Sequence, residues 1–278
     1  MLLTFLNKTG RLLLYTWLFS NATNALAIGK LVIIIDDIGN NKNNQAFLKL
    51  PKNVIFSILP FTPYAKSLAR AAHQQHREVL LHIPMQAHSH NHLLGKGALT
   101  EEMDKQTHQQ QLIDSLKVVP YAVGANNHMG SQLTENLTAM QWTMEMLFQQ
   151  GLFFVDSFTS AKSVAQTAAL TAGLPALRRH IFLDNVRTQA AMEKQFRTAI
   201  KHSMHSPYTI LIAHPYPETL QYLAQRLALS EQDYQLVPLR QLIPLKERVI
   251  LLLKKVQYYQ QNQVYSDTSS VNFPLHNE

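Results

Sequence analysis

Six apolar runs in this chain each end on an acid or a histidine. Asp36 and Asp37 follow Leu31–Ile35, and His82 follows Val79–Leu81. His128 stands in the cluster Asn126-Asn127-His128 just after Ala122–Gly124. Asp156 follows Leu152–Val155, Asp184 follows Ile181–Leu183, and His214 follows Thr209–Ala213. Two adjacent acids behind a buried run are costly unless they bind a metal, pair with a base or face water. Neighbouring side chains of an extended chain point to different sides. One acid can therefore hold a metal while the other polarises water. One Asp with two His suits zinc or a similar divalent ion, with positions left for water and substrate. A second carboxylate beside that water can act as general base, and a separate His can protonate a leaving group. Singly, each residue has a plainer reading: a loop acid, a helix cap, a packed histidine. Together they suggest metal-assisted hydrolysis of an ester or amide. A G-x-S-x-G elbow, a Walker loop and a dinucleotide glycine motif are all missing from the sequence.

These residues share one rim only if the runs are strands of one sheet. Strands are predicted at Leu31–Ile35, Val54–Leu59, Val79–Leu81, Ala122–Gly124, Leu152–Val155, Ile181–Leu183, Thr209–Ala213 and Gln235–Val237. Helices are predicted between them at Tyr64–Gln75, Glu101–Leu116, Ala139–Gln150, Ser160–Ala172, Gln189–Ser203 and Pro217–Leu227. Thr100 is the expected N-cap of the second helix, Gly151 and Gly173 are expected C-terminal caps, and Pro217 suits a first helical position. Alternation of this kind implies an α/β fold with a parallel sheet. It leaves open a doubly wound sheet or a (β/α) barrel. Either one places ligands at the C-terminal ends of the strands.

The chain has 278 residues, 46% of them hydrophobic and 15% charged, with 13 His and no Cys. The lack of Cys excludes a disulfide scaffold, a thiolate metal site, an iron–sulfur cluster and a thiol nucleophile. The net charge of +7 would suit nucleic acid, but no basic run stands out. Lys8 and Arg11, then an apolar run from Leu12 to Phe19, then Ala25-Leu26-Ala27, have the order of a secretory signal peptide. The run is far short of the ~20 residues that span a bilayer. Residues 1–27 are therefore expected to be removed on export, to the periplasm or beyond. The processed chain would not be an integral membrane protein. It would carry 23 basic and 18 acidic groups, two of the excess charges lying from Arg240 onward. The body is nearly neutral, so no nucleic-acid partner is expected. Residues 28–242 form one expected domain, and 243–278 a last helix with a disordered tail.

The ordered strings DDIG, LHIPM, GANNHMGSQLT, FFVDS, FLDN and AHPYPETL, from about Lys30 to Val237, resemble the divergent polysaccharide deacetylase family. That family is a remote branch of the NodB-like polysaccharide deacetylases. The resemblance implies a distorted (β/α) barrel of about seven or eight strands, with a divalent metal, zinc in the first place, at the strand C-termini. It makes Asp36 the catalytic base and Asp37 a metal ligand. The larger family's next motif holds two ligand His four residues apart. Here His82 takes the first place and Gln86 stands at the second, so His128 is the candidate replacement. Ile212-Ala213-His214 resembles the late leucine-x-histidine motif, which makes His214 the catalytic acid. The arginine–proline motif is absent. Asn127, Asp156, Gln86, Ser131 and Asp184 are expected to orient substrate or brace the ligands. The implied partner is an acetylated polysaccharide or peptidoglycan-type glycan. The alternative is an inactive protein of this fold that binds glycan or serves as an envelope scaffold.

The remaining histidines have ordinary readings. His88, His90 and His92 are read as a solvated loop, and His73, His76 and His108 as surface residues on or beside helices. Arg178-Arg179 is read as a solvated pair, and Met140 and Met144, one helical turn apart, as core.

Overall fold

The structure, a computed structural model, describes residues 28–229 and 233–262. The expected signal peptide and the tail beyond 262 lie outside the described residues. Among the described residues nine strands form one sheet: β1 (Gly29–Ile38), β2 (Val54–Ile58), β3 (Val79–Met85), β4 (Ala122–Met129), β5 (Phe153–Asp156), β6 (Ala176–Arg178), β7 (Ile181–Phe182), β8 (Thr209–Ala213) and β9 (Tyr234–Leu236). Their order is β6-β5-β4-β3-β2-β1-β8-β7, and β9 pairs with the start of β1. Each of these pairs is parallel.

The two edges of that order are consecutive in sequence, since β6 ends at Arg178 and β7 begins at Ile181. Three trans Cα steps reach ~11 Å at most. The sheet must therefore curl until its edges face each other. The result is a distorted, open-sided (β/α) barrel.

Among the described residues the α-helices are α1 (Ala65–Gln74), α2 (Lys105–Val118), α3 (Leu137–Gln149), α4 (Ala165–Ala172), α5 (Gln189–His205), α6 (Pro217–Arg226) and α7 (Leu245–Asn262). Leu31, Val32, Ile33, Ile34 and Ile35 are all fully buried, because β1 has strand neighbours along both edges and packing on both faces. Cutting any one of the isoleucines to alanine should cost ~2–5 kcal/mol.

Several details differ from the sequence expectations. β6 was not anticipated: three residues after Pro175 are too few for a readable pattern. The α2 cap is Asp104, whose carboxylate accepts from the Thr107 amide at 2.8 Å, not Thr100. α4 begins at Ala165 rather than Ser160. The hydroxyls of Ser160 and Ser163 serve Glu135 and Asp156 instead, which holds that stretch as a loop. His108 is not a surface residue. It is fully buried between α2 and α3, hydrogen-bonded to the Thr143 hydroxyl at 2.8 Å, and burial pushes its pKa down to about 4. Arg178 is exposed as expected, but Arg179 is not a solvated cation. It donates to the carbonyls of Ser157 and Phe158 and lies over the Phe182 ring.

Candidate metal centre

β1 carries both acids to the rim but does not treat them alike. Its register against β2 shifts between Ile35 and Ile38, a bulge that contains Asp36 and Asp37. Asp37 sits at φ 56, a left-handed conformation that Asp tolerates better than most residues. The bulge buries Asp36 and turns Asp37 toward a cleft. Gly39 closes the turn at φ +130, where other residues are strained, and a Cβ there would meet the Thr62 hydroxyl at 2.2 Å, so any side chain would force the Thr62 side chain to move.

β3 and β4 bring the histidines to the same place. They pair with His82 opposite Asn126 and Pro84 opposite His128. The sequence suggests that Pro84 stops the strand; in fact it lies inside β3. Pairing with β2 has already ended at Leu81, and on that side β3 then meets only Leu99, whose amide donates to the Pro84 carbonyl at 2.9 Å, so no strand partner there needs an N–H from residue 84.

Asp37 Oδ1 is 3.1 Å from His82 Nε2 and 2.8 Å from His128 Nδ1. One ligand atom from each of Asp37, His82 and His128 falls within a 4.8 Å group. Ligands at ~2.0–2.1 Å from a tetrahedral zinc ion lie ~3.3 Å apart, so slight opening of these contacts would admit one. A carboxylate with two imidazoles, beside an open cleft, fits a divalent ion. Burial raises the Asp37 carboxyl, but hydrogen bonds from His128 and then His82 outweigh it and hold the group well below the usual range. Asp36 moves the other way. Burial pushes its pKa up, and attraction to His82 and His214 offsets that only in part. For His82, burial favours the neutral ring, but Asp36 and Asp37 prevail and its pKa is raised.

A second histidine–carboxylate unit stands at the ends of β7 and β8. His214 Nδ1 is 2.9 Å from Asp184 Oδ1, and the His214 amide donates to Asp184 Oδ2 at 2.7 Å. The Thr219 hydroxyl, on α6, also donates to Oδ2, at 2.8 Å. Burial lowers the His214 pKa, but this bonded carboxylate more than reverses it, and the pKa rises to about 9.

The remaining expected residues hold the surrounding loops. Asn127 accepts from the Ser157 amide at 2.8 Å and donates to the Met129 carbonyl at 2.7 Å. Asp156 accepts from the Phe158 amide and the Ser163 hydroxyl. The Ser131 hydroxyl accepts from the His88 amide at 3.1 Å. The Gln86 side-chain oxygen accepts from the Glu101 amide at 2.8 Å, which commits it to the loop after β3 rather than to the centre. Asp184 braces His214.

The cleft has a volume of about 470 Å3 and is lined by Asp37, Asn40, Leu59, His90, Leu93, His128 and Met129. His88, His90 and His92 are exposed, as their loop reading implies, but His90 also borders the cleft. Sequence reasoning passed over Asn126, noted there only as part of a polar cluster. It is fully buried and bonded to Ser57, His82, Asp36 and Ser157. Its period-two spacing from His128 was the available signal.

The sequence profile of a family described as divergent polysaccharide deacetylase matches residues 33–243. The chain is 38% identical to the uncharacterized protein YibQ of Escherichia coli over 210 residues, 75% of this chain and 66% of that one. It thus spans slightly less than two thirds of that relative. An uncharacterized protein of Haemophilus influenzae is 36% identical over 77% of this chain and 76% of its own length. The crystal structure of the uncharacterized protein ATU2773 from Agrobacterium tumefaciens shares the fold, with a TM-score of 0.73 at 19% identity. That match covers 77% of this chain and 89% of that one.

Proposed function

The chain belongs to the divergent polysaccharide deacetylase family, and on that premise we propose that it is an exported, metal-dependent hydrolase that removes acetyl groups from envelope glycan. The observation that carries this reading is the convergence of Asp37, His82 and His128 on one point at the wall of an open cleft. These three residues would hold a divalent ion, zinc in the first place, which would supply Lewis-acid polarisation of the acetyl carbonyl and of water.

The protein's own groups do the proton work. Asp36, its carboxyl raised by burial, takes the proton from the attacking water as that oxygen bonds to the acetyl carbon. His214 gives its Nε2 proton to the leaving nitrogen or oxygen as the C–N or C–O bond breaks. The products are acetate and the free amine or hydroxyl of the sugar. Asp184 holds the imidazolium in place through Nδ1. A pKa of about 9 keeps that acid charged at neutral pH. Export rests on the signal-like order of residues 1–27. No helix among the described residues is long and apolar enough to cross a membrane.

The test is acetate release from acetylated chito-oligomers and peptidoglycan fragments, with metal content measured on the same protein. Acetate release that requires added zinc and disappears in Asp36→Asn supports the reading. A protein that binds no metal and releases no acetate overturns it. One observation favours a second reading, a glycan-binding protein without turnover. Gln86, where the resemblance expects a histidine ligand, is turned to the Glu101 amide. Glycan binding without acetate release by the zinc-loaded protein would establish that reading.

A further inference from the structure

Asn126 is 0% exposed, and its side chain bridges Asp36 of β1 and His82 of β3. It is the cross-strand partner of His82, so the two side chains leave their strands on the same face. A primary amide has two donor positions and two acceptor lone pairs, and all four are used. Its oxygen faces the Ser57 hydroxyl and His82 Nδ1, the latter at 2.8 Å. Its NH2 group donates to Asp36 Oδ1 at 2.8 Å and to the Ser157 hydroxyl at 3.2 Å. Reversing the amide would set its oxygen against the Asp36 carboxylate, which as an ionised base can only accept.

That orientation has two consequences. Because the amide oxygen is an acceptor, His82 must carry a proton on Nδ1, which leaves Nε2 as the position for a metal ion or a second proton. Nε2 is the atom that faces Asp37 Oδ1, 3.1 Å away. A lone pair aimed at a carboxylate oxygen is repulsive unless a proton or a metal ion lies between them. In addition, Asn126 occupies Asp36 Oδ1 and leaves Oδ2 as the oxygen toward the centre, 3.8 Å from His82 Nε2.

We infer that Asn126 is a positioning residue that couples the two halves of the centre. One buried amide fixes the tautomer of the ligand His82 and aims the free oxygen of the base Asp36. The inference rests on the proposed metal-dependent reading and adds to it a residue that touches neither metal nor substrate. Outer partners of ligating histidines typically carry ~10–100-fold in metal affinity.

Two substitutions separate the two tasks. Asn126→Leu removes both. Asn126→Asp keeps an oxygen for His82 Nδ1–H but loses the N–H bond to Asp36. The experiment is Zn2+ titration of the metal-stripped full chain against a chromophoric chelator, with acetate release measured alongside. Asn126→Leu should weaken zinc binding ~10–100-fold and stop acetate release. Asn126→Asp should bind zinc within about threefold of the unaltered protein, because a carboxylate behind a ligand histidine supports it equally well, yet lose most acetate release. A folded Asn126→Leu that binds zinc as tightly as the unaltered protein overturns the inference. Should that variant not fold, Asn126→Asp decides alone: full activity, or zinc binding weakened tenfold or more, overturns it. If the unaltered protein binds no zinc, the metal-dependent reading fails first and the inference falls with it.

Discussion

Two sides of the rim hold an aspartate against a histidine at about the same distance, 3.1 Å for Asp37–His82 and 2.9 Å for Asp184–His214. On the β7–β8 side, Asp184 is fully engaged: one oxygen meets the ring, and the other accepts from an amide and a hydroxyl. That unit is complete as a charged hydrogen-bonded pair. On the β1–β3–β4 side, a single oxygen of Asp37 meets two imidazoles, and Asp36 stands 3.8 Å from one of them. Here two acids and two bases crowd one point, and the cleft keeps that point open. On the proposed reading, the same pair of residue types serves as a proton donor where partners saturate the carboxylate, and as a cation site where they converge on it.

The largest test of this contrast is Asp37→Ala. Zinc affinity should fall by more than 100-fold and acetate release should vanish, measured by chelator competition and acetate assay. Asp184→Asn should leave zinc affinity unchanged in the same assay. Equal losses in the two variants would erase the distinction between the sides. Asp36→Asn comes next: acetate release should drop ~10²–10⁴-fold, the usual worth of a general base, with zinc still bound.

The pH dependence sharpens the donor side. His214 is charged up to about pH 9, so activity should fall on the alkaline side near that value. Asp184→Asn should move that limb toward ~6.5 and cut the rate at pH 8 about thirtyfold. The sign for stability is that of a raised histidine. Its stabilising contribution is complete below ~6.5 and is lost as pH rises through about 9.

The smallest expected effect belongs to a histidine with no acid beside it. His108, at about 4, is shifted by burial alone. Below ~6.5 the unfolded chain binds a proton that the folded one refuses. Stability should therefore decline as pH falls from there to about 4 and then level off. His108→Gln should remove that slope in urea melts. An NMR titration placing His108 and His214 at the same pKa would contradict both assignments.

The sheet was legible because its core strands are apolar on both faces, as LVIII in β1 is. The family strings DDIG, NNHMGS and AHPYPETL located the acids and histidines in order along that sheet. The shorter features were not legible. β6 has three residues and no alternation. The Thr100 cap failed because threonine before two acids fits a cap by composition alone, while the Asp104 side chain makes the bond. His108 looked exposed because the residues on either side of it, Lys105 to Gln111, are polar, and only the packing of α3 shows what covers it.

The sequence by itself determined which residues reach the rim, because an apolar strand delivers whatever follows it to the sheet's C-terminal end. Only the tertiary structure decided what each does there. The bulge at Asp36-Asp37 buries one acid and turns the other, half-buried, to the cleft, and the β3–β4 register sets Asn126 behind His82. The loop after β3 turns Gln86 away from the centre. Such assignments depend on distances between residues tens of positions apart. Those distances are fixed by strand pairing and register, which local patterns of residue type do not encode.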